Sequence, residues 1–148
     1  MRKYDDLECS ILSCLLIKPK LMDEVILEDK HFVNYQRIWQ FMKRFYKKFG
    51  NFDFNLMASV CTDQYELMMY IVDISNCEPT YLNFNKYQKQ LIDLYNEEEK
   101  DKWIIKKVYE EVCDLWVRNI TTTEFKNRIE EIYKNADEID KEGKDKND

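Results

Sequence analysis

Glycine and proline are scarce in this chain, which has only two of each among its 148 residues. Sheet-rich folds need many tight turns, and those turns draw on Gly, Pro, Asn and Asp because they require unusual backbone angles. Long helices need few such turns. The scarcity therefore favours an all-α fold, and the length is typical of a single domain built around one core.

Histidine is scarcer still, because His31 is the only one, and this limits the chemistry that the chain can perform. A Ser-His-Asp arrangement could use only this residue, and the sequence contains no nucleophile elbow. Neither glycine is followed by Lys and then Ser or Thr, so the loop that binds a triphosphate in P-loop enzymes is missing. We expect no catalytic residue, no cofactor and no enzymatic activity, and a structural role for His31.

The five cysteines are spread along the chain, and no Cys-x-x-Cys pair occurs among them. Zinc sites need closely spaced Cys and His ligands, so no metal site is expected. An odd number of cysteines among apolar residues is typical of reduced thiols that pack as small hydrophobic side chains. Long apolar runs and a leader-like N-terminus are also lacking, so we expect a cytoplasmic protein that makes no membrane contact.

Basic residues are outnumbered, with 23 Lys and Arg against 29 Asp and Glu and a net charge of −6. Duplex binding draws on a basic surface that displaces counterions from phosphate, and the overall balance provides none. The basic run 43–48 is interpreted as a solvated helix face. The acidic runs 97–99 and 110–111 are interpreted as surface charges that pair with nearby Lys, so no direct nucleic-acid binding is expected.

Apolar residues are abundant, at 45% of the chain, and they recur at the three- and four-residue steps of amphipathic helices. The breaker-free stretch 83–118 is interrupted by charges between 96 and 102, which leaves open one long helix or two. The short connection 119–121 predicts an antiparallel helical hairpin. Helices are predicted over 5–17, from Pro19, over 34–49, over 53–60, from Thr62 or Asp63, over 83–118, and from Thr122.

We predict one domain over 1–140, with a globular helical bundle over about 1–82 and a long antiparallel helical hairpin over 83–140. A charged flexible tail is predicted at 141–148. A thin hairpin cannot hide all its apolar side chains, and exposed apolar stripes usually mark a partner; packing against the bundle is an equal alternative. The predicted partner or oligomer interface consists of Trp103, Ile105, Val108, Val112, Trp116, Phe125, Ile129 and Ile132.

The segment Glu8–Pro19 resembles the opening of the N-terminal collar domain of DnaB-type replicative hexameric helicases. That opening has Glu, apolar residues, a small residue and further Leu before Pro, and here Ser13 and Lys18 replace its usual glycine and acidic residue. Beyond Pro79 the likeness is one of helix layout. Further similar segments are Asp23-Glu24-Val25, His31-Phe32, Gln36-Arg37-Ile38-Trp39 and Asn51-Phe52-Asp53.

The resemblance implies a helical bundle with a hairpin that assembles into a collar and contacts primase and loading factors. The ATPase motor that follows in such helicases is not expected in this chain. We therefore expect a non-catalytic DNA-replication protein-interaction domain that forms a homo-oligomer or docks onto a replicative helicase, primase or helicase loader. Two alternatives stay open: a phage or mobile-element inhibitor that mimics the helicase collar, and an N-terminal fragment of a full-length replicative helicase.

Overall fold

A computed structural model describes residues 3–61, 64–77 and 79–147, with side chains between 6 and 138 in these ranges. The regular elements in this part of the chain are all helical, which confirms the all-α fold. Short 3₁₀ turns lie at Pro19–Glu24, Asp29–His31 and Tyr81–Asn83. The α-helices are α1 (Lys3–Ile17), α2 (Gln36–Phe49), α3 (Phe54–Val60), α4 (Tyr65–Ser75), α5 (Phe84–Trp116) and α6 (Thr122–Asn147).

Two of the expectations from the sequence concern the long C-terminal helices. The charged stretch 96–102 lies inside α5, so 83–118 contains one continuous helix and not two. Helix α6 continues to Asn147, past the start predicted for the charged tail at 141. Side chains from 139 onward and the whole of Asp148 lie outside the described residues, as does the predicted helix start at Thr62 or Asp63. The flexibility of the tail stays a prediction.

Helix ends follow local capping chemistry. Gly50 ends α2 with a φ of 72°, and its N–H donates to the carbonyl of Tyr46. Asp53 accepts the N–H of Leu56 at 3.0 Å and so caps α3. Thr121 Oγ1 accepts the N–H of Glu124 at 3.1 Å at the start of α6. These three ends agree with the helices predicted over 34–49, over 53–60 and from Thr122.

The chain divides into two compact units, Met1–Ile92 and Asp93–Asp148. The first unit contains the main hydrophobic core, in which α4 packs against both α1 and α2. Close packing of large apolar side chains from these helices excludes water and supplies most of the unit's stability. The largest fully buried side chains of this core are Trp39, Phe32, Phe84, Ile11, Leu12, Leu15, Ile38, Met42, Met57, Ile71, Ile74 and Leu91.

The carboxylate of Glu8 is the principal polar group inside this core, and its side chain is 0% exposed. Its Oε1 atom accepts the N–H groups of Asn34 at 3.0 Å and Tyr35 at 3.2 Å. Tyr35 is the residue that precedes the first turn of α2. Helix starts have unpaired N–H donors and a positive dipole end, so a buried carboxylate at this point satisfies both. Glu8 therefore fixes α1 against the start of α2.

A second polar cluster holds the turn Asp29–His31 onto α2. The Asp29 carboxylate accepts hydrogen bonds from Trp39 Nε1 at 2.9 Å and Gln40 Nε2 at 3.2 Å, and it also pairs with Lys43. The hydrogen bond from Lys43 lowers the pKa of Asp29. The buried His31 accepts the N–H of Glu28 on Nδ1 at 2.9 Å, so its neutral ring closes this turn.

Gln88 is a completely buried amide that the apolar pattern does not reveal. Its Oε1 accepts the N–H of Ile26 at 2.8 Å, and its Nε2 donates to the carbonyl of Glu24 and to Asn85 Oδ1, each at 3.2 Å. A buried amide is stable only when its donors and acceptors are paired, as they are here. Gln88 thus fastens the loop after the first 3₁₀ turn to the beginning of α5.

The cysteines correct one expectation from the sequence. Cys9 of α1 and Cys77 are joined by a disulfide, so not all five thiols are free. The two cysteines are 68 residues apart in the sequence, so local cysteine spacing does not predict the pairing. Cys14 and Cys61 are buried free thiols, and Cys113 is an exposed one. Burial raises the pKa of the Cys14 thiol to about 11.

Replacement of Glu8 by alanine is expected to lower the free energy of unfolding by about 2–3 kcal/mol, because the two hydrogen bonds from the N–H groups of Asn34 and Tyr35 to a buried side chain are lost and a cavity is left in the core. Urea denaturation followed by circular dichroism measures this loss. Glu98→Ala, at an exposed glutamate of α5, is the control and is expected to change the free energy by less than about 0.5 kcal/mol. An equal loss in both variants would contradict the role assigned to Glu8.

Stability should also depend on the protonation of His31. Burial, followed by the nearby Lys30 charge, lowers the pKa of His31 in the folded protein below its usual value. The unfolded chain therefore binds this proton more readily, and the stabilising contribution of the neutral ring is complete above pH of about 6.5. It is lost as pH falls from there toward the lower folded pKa.

The free energy of unfolding of the natural chain is thus expected to fall between neutral and mildly acidic pH. His31→Asn retains an acceptor for the Glu28 N–H but does not titrate, so its stability curve should be flatter over the same interval. Denaturant titrations across that interval compare the two slopes. His31 is the only histidine, so no other imidazole contributes to the slope. If the two stability curves ran parallel, His31 would not be the source of the pH dependence.

Candidate protein-interaction surface

Ion pairs connect α5 and α6 in the second unit. Arg128 lies 3.1 Å from Glu111 and 3.8 Å from Asp114, and Lys100 lies 3.2 Å from Asp137. Positions that rise along α5 pair with positions that fall along α6, so the two helices run antiparallel. These charges lie at the surface, where each pair contributes at most about 1 kcal/mol, so they set register more than stability.

The eight predicted interface residues divide into three groups by exposure. Ile132 is buried within the second unit, together with Ile120 and Ala136. Trp103, Val108, Phe125 and Ile129 are half-buried. Ile105, Val112 and Trp116 are exposed, at 68%, 45% and 86% of their surface. The surface that remains for a partner is therefore concentrated on α5.

Tyr109 completes an exposed row on α5 that we call the outer stripe, consisting of Ile105, Tyr109, Val112 and Trp116. Tyr109 is 68% exposed, and the steps of four, three and four residues place all four side chains on one helix face. The predicted interface omits Tyr109, although its heptad-like spacing could have identified it. Four large apolar side chains in one exposed row are unusual for a surface without a partner.

The outer stripe ends in a strained turn after α5. Arg118 has a φ of +62°, its N–H donates to the carbonyl of Leu115, and the N–H of Asn119 donates to that of Asp114. This hydrogen-bond pattern closes many helices, but glycine usually occupies the left-handed position because a Cβ is crowded there. An open hollow of about 440 Å³ lies beside the turn and is lined by Val112, Leu115, Trp116 and Arg118.

Charge is divided unequally between the units. The first unit has 12 basic and 12 acidic residues, whereas the second has 11 basic and 17 acidic ones, so the entire net charge of −6 lies in the second. The outer stripe is thus an apolar row on an acidic unit. A surface of this kind suits protein contacts and disfavours the phosphate backbone of nucleic acids.

The first unit carries the match to a known family. Residues 2–93 match the family described as the DnaB-like helicase N terminal domain, which is more than half of the chain. No curated protein sequence and no solved structure matches the chain. No helix in the described ranges is long and apolar enough to cross a membrane, and no group of His, Cys, Asp and Glu there could hold a metal ion.

Replacement of Arg118 by glycine is expected to raise the free energy of unfolding by about 1 kcal/mol, because glycine adopts a positive φ without a crowded Cβ. Chemical denaturation of the two proteins measures the gain. Asn119→Gly is the matched control, since its φ is not positive, and it is expected to give no gain. A gain of equal size in both variants would show that turn strain at Arg118 is not the cause.

Proposed function

The chain belongs to the DnaB-like helicase N-terminal domain family, and on this premise we propose that it is a non-catalytic interaction domain of the DNA-replication machinery. The observation that carries the proposal is the outer stripe on α5, which presents four large apolar side chains to solvent. Burying such side chains against another polypeptide is strongly favourable, and large aromatic anchors dominate interface energies. The partner is thus a protein and not a small substrate.

A second copy of the chain fits the outer stripe best. Antiparallel packing about a two-fold axis would set Ile105 opposite Trp116 and Tyr109 opposite Val112, because these positions are symmetric about one point of the helix. Each apolar side chain then meets an apolar side chain. In the same register Arg118 of one copy approaches the acidic residues before Ile105 of the other, among them Asp101.

By the family resemblance we propose that such a pair acts in the cytoplasm, within the assembly around a replicative helicase. Replicative helicase, primase and helicase loader are the proposed heterologous partners, by the family resemblance and not by any contact in this structure. A chain that docks there could assist loading or, as a phage or mobile-element mimic of the collar, inhibit it. The sign of its effect in a helicase-loading assay separates these two roles.

Self-association is tested by Tyr109→Ser combined with Val112→Ser. These exposed positions are better probes than the half-buried Val108 and Ile129, whose replacement would also loosen the packing inside the second unit. Because each side chain occurs twice at a two-fold interface, we expect the double substitution to raise the dissociation constant of the dimer by at least about tenfold. Analytical ultracentrifugation measures the shift, and circular dichroism verifies unchanged helicity.

Lys106→Ser is the matched control, since Lys106 is an exposed polar residue on the same helix, and it should leave association intact. Pull-down with purified replicative helicase, primase and loader from the native host then tests whether the natural chain, the double variant and the Lys106→Ser control dock onto them. A natural chain that sediments as a monomer at every concentration and binds none of these proteins would refute the proposed function.

A further inference from the structure

The disulfide between Cys9 and Cys77 joins two sites of very different accessibility. Cys9 lies in the core of the first unit and is 5% exposed, whereas Cys77 is half-buried just after α4. Their Cα atoms are 6.9 Å apart. An incoming thiol or disulfide from solution therefore reaches the sulfur of Cys77 first, and Cys9 is positioned as the resolving partner.

The other cysteines do not compete for this chemistry. Cys14 and Cys61 are buried free thiols, and burial raises the pKa of both above the usual value. The thiolate is the reactive form, so these two thiols are poor nucleophiles at neutral pH. Cys113 is exposed, but it lies in α5 of the second unit. Thiol exchange within the first unit is thus confined to Cys9 and Cys77.

The surroundings can accommodate the pair in either oxidation state. The carbonyl oxygen of Asp73 lies 4.0 Å from Cys9 Sγ and 3.7 Å from Cys77 Sγ, so both thiols find an acceptor after reduction. Ser13 Oγ donates to the carbonyl of Cys77 at 3.4 Å, a contact that does not depend on the disulfide. Opening the bond therefore leaves no sulfur without a polar neighbour.

We propose that Cys9 and Cys77 form a reversible redox clasp, which closes when glutathione disulfide accumulates and opens in the presence of glutathione thiol. The inference takes only the cytoplasmic setting from the proposed function, because disulfides in a reducing cytoplasm are usually transient and redox-sensing. Closing oxidises the protein by two electrons. The Cys77 thiolate attacks glutathione disulfide and releases one glutathione; the Cys9 thiolate then attacks Cys77 Sγ and releases the second, and the two protein protons end on the two glutathiones.

The clasp controls the chain segment that follows α4. Closed, it ties Cys77 covalently to α1 beside a hollow of about 250 Å³ that Ile17, Phe54 and Met57 help to line. Open, the segment keeps the hydrogen bond from Ser13 but loses its covalent anchor. Residues 75–77 and Thr80 should then exchange their amide hydrogens faster, while the core helices α1 and α2 keep their protection.

The test compares the full chain equilibrated in glutathione disulfide with the chain in dithiothreitol. Alkylation under denaturing conditions followed by intact-mass measurement should give five labels after reduction. After oxidation two labels should be lost without any added glutathione mass, since Cys9 and Cys77 pair, whereas exposed Cys113 exchanges its label for one bound glutathione. Closing a loop of this length should raise the midpoint of thermal unfolding by about 10 °C. Hydrogen exchange should slow in the segment after α4 in the oxidised form.

Cys77→Ser should abolish the redox difference in midpoint, whereas Cys113→Ser should behave as the natural chain. Five labels in the oxidised protein, or equal midpoints in both buffers, would overturn the clasp. Sedimentation of the same samples keeps the two proposals distinguishable, because the outer stripe lies in the second unit and self-association should be equal in both redox states. Absence of both self-association and docking, with the redox difference retained, would overturn the proposed function and leave the clasp standing.

Discussion

The first unit depends on one buried charge. The carboxylate of Glu8 accepts the N–H groups of Asn34 and Tyr35 at the start of α2, so separating α1 from α2 would leave a buried carboxylate without these two donors. Apolar packing alone tolerates small shifts between helices, whereas this contact fixes one register between α1 and α2. The Asp29 cluster and Gln88 repeat the principle, since each fastens a loop to a helix through satisfied polar atoms.

The second unit differs in that part of its apolar surface stays exposed. A pair of helices has too little interior for its apolar residues, so α5 and α6 bury Ile132 and Ala136 between ion pairs and leave the outer stripe uncovered. The strained turn at Arg118 lies at the end of that stripe. Strain and exposed apolar surface both cost stability, and chains retain such costs chiefly where a contact offsets them. The interaction surface that we propose accounts for both features.

Much of this architecture is predictable because helical periodicity and capping are local. Gly50, Asp53 and Thr121 mark helix ends correctly, and the opening around Glu8 identifies the family over the first unit. The features that the sequence does not reveal are contacts between residues far apart along the chain. The Cys9–Cys77 bond and the hydrogen bonds of Gln88 to Glu24 and Ile26 join residues more than 60 positions apart. The difference between half-buried Val108 and exposed Val112 depends on where α6 packs. Periodicity identifies an apolar residue but not which neighbour covers it.

The uneven distribution of charge has a consequence for assembly. Two copies that meet through their second units bring together two bodies of like sign, each with six excess negative charges. Dissolved ions screen such repulsion over a Debye length of about 8–10 Å at physiological salt. Pairing along an apolar row therefore tightens as ionic strength rises, whereas contact with a phosphate backbone would weaken. Low ionic strength therefore favours the monomer.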